Sequence, residues 1–90
     1  MTRRDKRFQR IAQNPRNVRF DELRRLLEDY GFELKRTRGS HHSFVGYIAG
    51  EKVALVVPFK KPLNPVYVKK ALALIEQIEA EEHNRAEDDE

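Results

Sequence analysis

The stretch that most constrains this 90-residue chain lies between Gly31 and Pro58, where apolar residues recur at extended-chain spacing and glycine-bearing turns interrupt them. Phe32-Glu33-Leu34-Lys35-Arg36 alternates apolar and charged, the period of a strand with one buried face. Gly39-Ser40 supplies a turn. A second strand follows from His42 to Ile48, carrying Phe44, Val45, Tyr47 and Ile48 and interrupted by Gly46, a position suited to a bulge or a close approach. Ala49-Gly50-Glu51-Lys52 then connects to Val53-Ala54-Leu55-Val56-Val57, a nearly continuous apolar strand ended by Pro58. Three strands joined by connections this short predict an antiparallel meander, because a parallel pair needs a crossover of about a dozen residues or more.

Helical patterns bracket the meander. Phe20, Leu23, Leu26, Leu27 and Tyr30 recur at helical spacing, Asp21 and Glu22 complement the positive end of the helix dipole, and Gly31 is a left-handed stop. Asn64-Pro65 opens a last helix, Asn as N-cap and Pro at the first helical position. Its apolar stripe is Val68, Leu72, Ile75 and Ile78, widened by Ala71 and Leu74. A short, peripheral helix is predicted over Arg3–Gln13, with Phe8, Ile11 and Ala12 on one face, before Asn14-Pro15-Arg16-Asn17 breaks it. The predicted fold is therefore α+β: an α-β-β-β-α core, with a three-stranded antiparallel sheet and two helices on one of its faces, plus an extra N-terminal helix. Its divisions are a basic helical extension over 1–16, a core domain over 17–79 and an acidic tail over 80–90, the last part of it solvated or disordered. Phe20, Tyr30, Leu72 and Ile75 are read as core.

Charge is segregated. Residues 1–70 hold 17 Lys and Arg against 7 Asp and Glu, whereas residues 71–90 hold 1 against 8. A body of net charge +10 attracts a polyanion through Coulomb steering and counterion release, and charge kept only for solubility would not need to be segregated. The chain has no cysteine, which excludes disulfides and thiolate metal sites and fits a reducing cytoplasm. No stretch approaches the roughly 18 uninterrupted apolar residues of a membrane span, and no apolar run follows the basic N-terminus as in a secretory signal. A soluble, cytoplasmic protein is expected, with no membrane partner.

The chemistry concentrates in Lys35-Arg36-Thr37-Arg38-Gly39-Ser40-His41-His42-Ser43-Phe44. Lys35, Arg36 and Arg38 are placed to hold phosphates, Gly39 and Ser40 offer backbone N–H groups, and histidine exchanges protons near neutral pH. RNA brings its own nucleophile, the 2′-hydroxyl. A histidine base beside a cationic clamp is thus a sufficient ribonuclease with no metal or other cofactor. Two adjacent histidines at a strand start can equally be structural. A zinc site fits less well, since His83 is the one further histidine and no carboxylate stands at a ligand spacing. Alternation groups His41 with Ser43 and Val45, and His42 with Phe44, so a buried Phe44 would leave His41 on the open face; His42 is the reserve. A second basic surface runs through Phe59-Lys60-Lys61-Pro62 into Lys69 and Lys70. Lys60 and Lys61 are placed to meet a phosphate near the histidine turn, and Lys69 and Lys70 are either a phosphate contact or a solvated helix face.

These residues carry a resemblance over about residues 18–78. A helix ending in Tyr30-Gly31-Phe32, a charged strand, Arg38-Gly39-Ser40-His41-His42 with Phe44 soon after, then Val56-Val57-Pro58 and a basic-proline stretch before the last helix resembles the HicA (YcfA-like) toxin family. The resemblance implies a double-stranded-RNA-binding-domain-like fold and a metal-independent mRNA interferase whose catalytic histidine lies in the Gly-Ser-His turn, here His41 or His42. It also implies a HicB-type antitoxin as protein partner. The basic N-terminal helix and the acidic C-terminal extension depart from the family pattern. Two other readings stand beside it: a non-catalytic module that recognises double-stranded RNA by shape, and a regulator whose basic face docks an acidic protein.

Overall fold

The computed structural model describes residues 2–88 as α1 (Arg3–Gln13), α2 (Phe20–Asp29), β1 (Glu33–Arg38), β2 (His41–Ile48), β3 (Glu51–Pro58) and α3 (Pro65–Asp88). The strands form one antiparallel sheet in the order β1-β2-β3. Its inner face carries Phe44, Leu55 and Val57, which are buried under α2 and α3. Its outer face is open, leaving Tyr47 and Val56 exposed. The α-β-β-β-α core with a further N-terminal helix is the arrangement the sequence predicts.

Local chemistry sets the ends of the elements. A capping box opens α1: the Asp5 N–H donates to Thr2 Oγ1 (3.2 Å) and the Thr2 N–H to Asp5 Oδ2 (3.1 Å). Accepting these bonds favours the ionised Asp5 carboxylate and holds it below the usual carboxylate range. Gly31 ends α2 at φ +88°, letting the Phe32 N–H return to the Leu27 carbonyl (2.9 Å). Ala49 and Gly50, both at positive φ, make the tight hairpin between β2 and β3. Asn64 caps α3 by accepting from the Val66 N–H (3.0 Å).

Three details depart from the sequence reading. β1 begins and ends later, at Glu33 and Arg38, because the hydrogen-bonded ladder rather than the apolar alternation sets its limits. The bulge lies in β1, between Leu34 and Arg36, and not at Gly46. Gly46 is the close approach that the sequence reading gave as its other alternative: a Cβ there would stand 2.8 Å from Cγ and Cδ1 of the buried Phe32 ring. The N-terminal helix is less peripheral than expected, since Ile11 is 1% exposed within the core and Phe8 packs against it.

The predicted tail region begins as helix, for α3 continues through Asp88, while Asp89 and Glu90 lie outside the described residues. Arg4 of α1 pairs with Glu82 of this extension (2.7 Å) and lies 4.5 Å over the Tyr30 ring. The Tyr30 hydroxyl donates to Glu79. Burial pushes the Tyr30 phenol far above its ordinary range, and the Glu79 carboxylate adds to the shift while Arg4 opposes it. Among the described residues, no helix is long and apolar enough to cross a membrane.

Candidate functional site

At one end of the sheet the chain turns through Gly39, whose φ of +59° suits glycine, and Ser40 into β2. The Ser40 carbonyl collects two contacts. It accepts the Phe59 N–H at 2.6 Å and stands 3.0 Å from His42 Nδ1. The first ties the loop after β3 to the turn, and the second holds one imidazole over it. The same loop is fastened to the approach of α2, where the Leu63 N–H donates to the Val18 carbonyl (3.0 Å). Three segments far apart in sequence thereby share one corner of the molecule.

The two histidines divide between the faces as strand alternation predicts. Phe44 is fully buried, and His42, on the same face, packs with its ring centroid 4.4 Å from Phe20 and 6.1 Å from Phe59. His41 is exposed on the outer face, with Arg38 opposite it on β1 and Pro58 on β3. Arg36, opposite Ser43, follows on that face. Both arginines are exposed, so the outer face sets two guanidinium groups beside an accessible imidazole.

The other cations singled out by the sequence are less uniformly placed. Lys35 falls at the bulge, and its ammonium sits 2.7 Å from the Glu33 carboxylate, which raises its pKa and lowers that of Glu33. Its charge is already partly engaged. Lys60 and Lys61 are exposed in the loop tied to Ser40, with the Lys61 ammonium 6.0 Å over the Phe59 ring. Lys69 and Lys70 are exposed on α3, and the Lys70 ammonium lies 5.4 Å from the Tyr67 ring. Lys70 borders a separate groove between β3 and α3, with Val53, Leu55 and Tyr67. The structure therefore gathers Arg36, Arg38, Gly39, Ser40, both histidines, Lys60 and Lys61 at one end, and sets Lys70 beside another groove.

A cleft of about 550 Å³ opens at that end, lined by Asn17, Arg19, Phe20, Asp21, Phe59, Lys61 and Pro62. Asn17, Arg19 and Asp21 were not legible as site residues. Asn17 reads as part of a helix break and Asp21 as a dipole partner, and nothing in their spacing announces contact with residues some forty positions later. Phe20, read as core, is only partly buried: it packs against the core and the rings of His42 and Phe59, and it lines this cleft. Among the described residues, no group of three or more histidine, aspartate or glutamate side chains converges to hold a metal ion.

The fold and its histidine turn define a small α+β domain of the double-stranded-RNA-binding-domain-like class. The family model described as HicA toxin of bacterial toxin-antitoxin matches residues 20–79, and the chain belongs to the HicA toxin family. The match takes in α2, the whole sheet and the apolar part of α3, and leaves α1 and the acidic end of α3 outside it. Membership gives the chain the role of a toxin, with an antitoxin as its counterpart. Neither the curated proteins nor the solved structures return a match.

Proposed function

We propose that this chain is an endoribonuclease that cleaves mRNA in the cytoplasm by proton transfer at histidine, without a metal cofactor, and is held in check by a HicB-type antitoxin. The observation that carries the reading is His41, exposed at the start of β2 directly opposite Arg38. His42 is already packed against two phenylalanine rings, so His41 is the imidazole free to meet a ribose. His41 takes the proton of the 2′-hydroxyl, and the 2′-oxygen attacks the adjacent phosphorus. The bond to the 5′-oxygen breaks, and that oxygen leaves with the proton returned by the His41 imidazolium. Arg36 and Arg38, with Lys35, Lys60 and Lys61 near them and the N–H groups of Gly39 and Ser40, offset the charge that builds on the phosphoryl oxygens. The products are a 2′,3′-cyclic phosphate and a free 5′-hydroxyl. An antitoxin seated on the outer face would cover His41 and exclude RNA at once.

The test separates the two histidines. His41→Ala and His42→Ala are compared singly and together for growth arrest and for cleavage of purified RNA, each with and without a chelator. Loss of a general base typically costs about 10²–10⁴-fold in rate. That loss is expected for His41→Ala, with chelator having no effect. Unchanged cleavage by the double variant would remove histidine from the mechanism, and abolition by chelator would remove the metal-free chemistry.

A second reading rests on the 3.0 Å contact between His42 Nδ1 and the Ser40 carbonyl. A carbonyl at Nδ1 fixes the tautomer that leaves Nε2 as the base, beside the cleft rather than on the outer face. It predicts the reverse pattern of single-variant effects. The fold also supports a non-catalytic module gripping duplex RNA through Lys69 and Lys70. Tight, salt-sensitive duplex binding with no cleavage would favour that alternative.

A further inference from the structure

The cleft at the site's edge has a composition that backbone recognition does not explain. A surface that only tracks phosphates needs cations. This one combines two cations, Arg19 and Lys61, with an amide, Asn17, a carboxylate, Asp21, and two aromatic rings. Phe59 is 42% exposed although it is apolar and held in place by its N–H bond to Ser40. Among the described residues, the side chains of Asn17, Arg19 and Asp21 have no hydrogen-bond or ion-pair partner. By contrast, Arg4, Arg7, Arg10, Arg24 and Lys35 are each paired with a carboxylate. A carboxylate left unpaired among cations, beside an exposed ring, is a recognition surface with acceptors and donors both available.

The carboxylate decides which ligand fits. Ionised, it only accepts, and with two oxygens side by side it matches a pair of adjacent donors. Of the four RNA bases, guanine alone presents two adjacent donors, N1–H and N2–H₂, on its Watson–Crick edge. Adenine and cytosine place one amino donor beside an acceptor, and uracil sets one N–H between two carbonyls. The ring of an unpaired base stacks on an aromatic side chain, as in single-stranded RNA recognition generally. The volume of about 550 Å³ lies within the usual range of small-ligand sites.

We infer that this cleft is a subsite for one unpaired guanine of the RNA, stacked on Phe59, with its N1–H and N2–H₂ edge on the Asp21 carboxylate and its phosphate against Arg19 and Lys61. The inference rests on the reading of the chain as an RNA-cleaving protein and adds the base it prefers at the edge of that site. Through Ser40, the loop that carries Phe59 and Lys61 is joined to the histidine turn, so a base held here fixes the strand relative to the imidazoles.

The full chain is titrated with guanosine, adenosine, cytidine and uridine 5′-monophosphates while amide resonances are followed by NMR. Guanosine monophosphate is expected to bind about tenfold or more tighter than the others, the discrimination typical of a bidentate base contact. Its shifts should centre on residues 17–21 and 59–62. Asp21→Ala, which removes the paired acceptors without adding a donor, should bring the four nucleotides to about equal affinity. Phe59→Ala should weaken all of them by about fivefold or more, as expected on removal of one stacking ring. Equal affinity for the four in the unaltered chain, or shifts centred elsewhere, overturns the subsite, and this measurement does not depend on any variant folding. RNA cleavage is assayed on the same preparation. Cleavage without guanosine binding overturns the subsite and leaves the ribonuclease reading standing; guanosine binding without cleavage supports the subsite and overturns that reading.

Discussion

Replacing Gly46 by alanine tests the packing that holds the site's strand in place. Gly46 sits in the middle of β2, paired with Val53, and its backbone is not in the left-handed region, so alanine meets no torsional strain there. The obstacle is Phe32, 1% exposed, whose Cγ and Cδ1 would lie 2.8 Å from the new Cβ and Cδ2 2.9 Å from it. Carbon atoms prefer about 3.5–4.0 Å, so the overlap is about 0.7 Å against three atoms of a ring with nowhere to go. Overpacking of this kind costs about 1–3 kcal/mol. Removing glycine's freedom from the unfolded chain returns about 0.4–1 kcal/mol. The net expectation is a destabilisation of about 1–2 kcal/mol, or a Tm lower by about 4–8 °C per kcal/mol for a domain of this size. Urea unfolding followed by circular dichroism reads it as a lower midpoint with an unchanged slope. Adding Phe32→Leu should give less than additive loss, because the clash and the ring disappear together. A Gly46→Ala protein as stable as the parent, or strict additivity in the double variant, would show that β2 and Phe32 are not packed this tightly.

Three other outcomes follow. Raised by burial and by Glu79, the Tyr30 phenol contributes stability that is present below the ordinary tyrosine pKa of about 10 and is lost as pH rises towards its folded value. Urea midpoints from pH 7 to 11 should therefore show Tyr30→Phe less stable at neutral pH and the gap closing above about pH 10; a constant gap refutes the assignment. Asn64→Ala removes the side-chain cap of α3 and should cost about 1 kcal/mol in the same assay, whereas Asn64→Asp should cost little. If Arg36 and Arg38 each meet a phosphate, replacing both by glutamine should reduce the salt slope of single-stranded RNA binding by about 1.4, near 0.7 for each phosphate no longer neutralised. An unchanged slope would place the RNA backbone elsewhere.

What could be read in sequence follows from which interactions are local. Helical and strand periods, the stop at Gly31, the cap at Asn64, the turn at Gly39-Ser40 and the connection read over Ala49-Gly50-Glu51-Lys52, which the structure narrows to Ala49-Gly50, each depend on neighbouring residues. They were sufficient for the element order and the antiparallel meander. Strand alternation also separated the faces of His41 and His42, because a single buried residue, Phe44, orients the whole strand. Element ends were less accurate. Ladder hydrogen bonding moved β1, and α3 runs on to Asp88, with an ion pair between Arg4 and Glu82, 78 residues apart, joining the extension to α1.

The histidine turn and the cations around it were legible as chemistry from residue type and spacing alone, and the family match covers that same segment. The cleft beside it was not. Asn17, Arg19 and Asp21 meet Phe59 and Lys61 only because the Ser40 carbonyl binds the Phe59 N–H and the Val18 carbonyl binds the Leu63 N–H. Such backbone bonds carry no signature in side-chain identity, since every residue but proline can donate one. Sequence by itself determined the order of elements, the sheet and the location of the Gly39–His42 turn, all of them set by short-range patterns. Only the tertiary structure decided that His42 packs against Phe20 and Phe59, and that a carboxylate stands among the cations. Those facts arise where segments distant in the chain are drawn together at one end of the sheet.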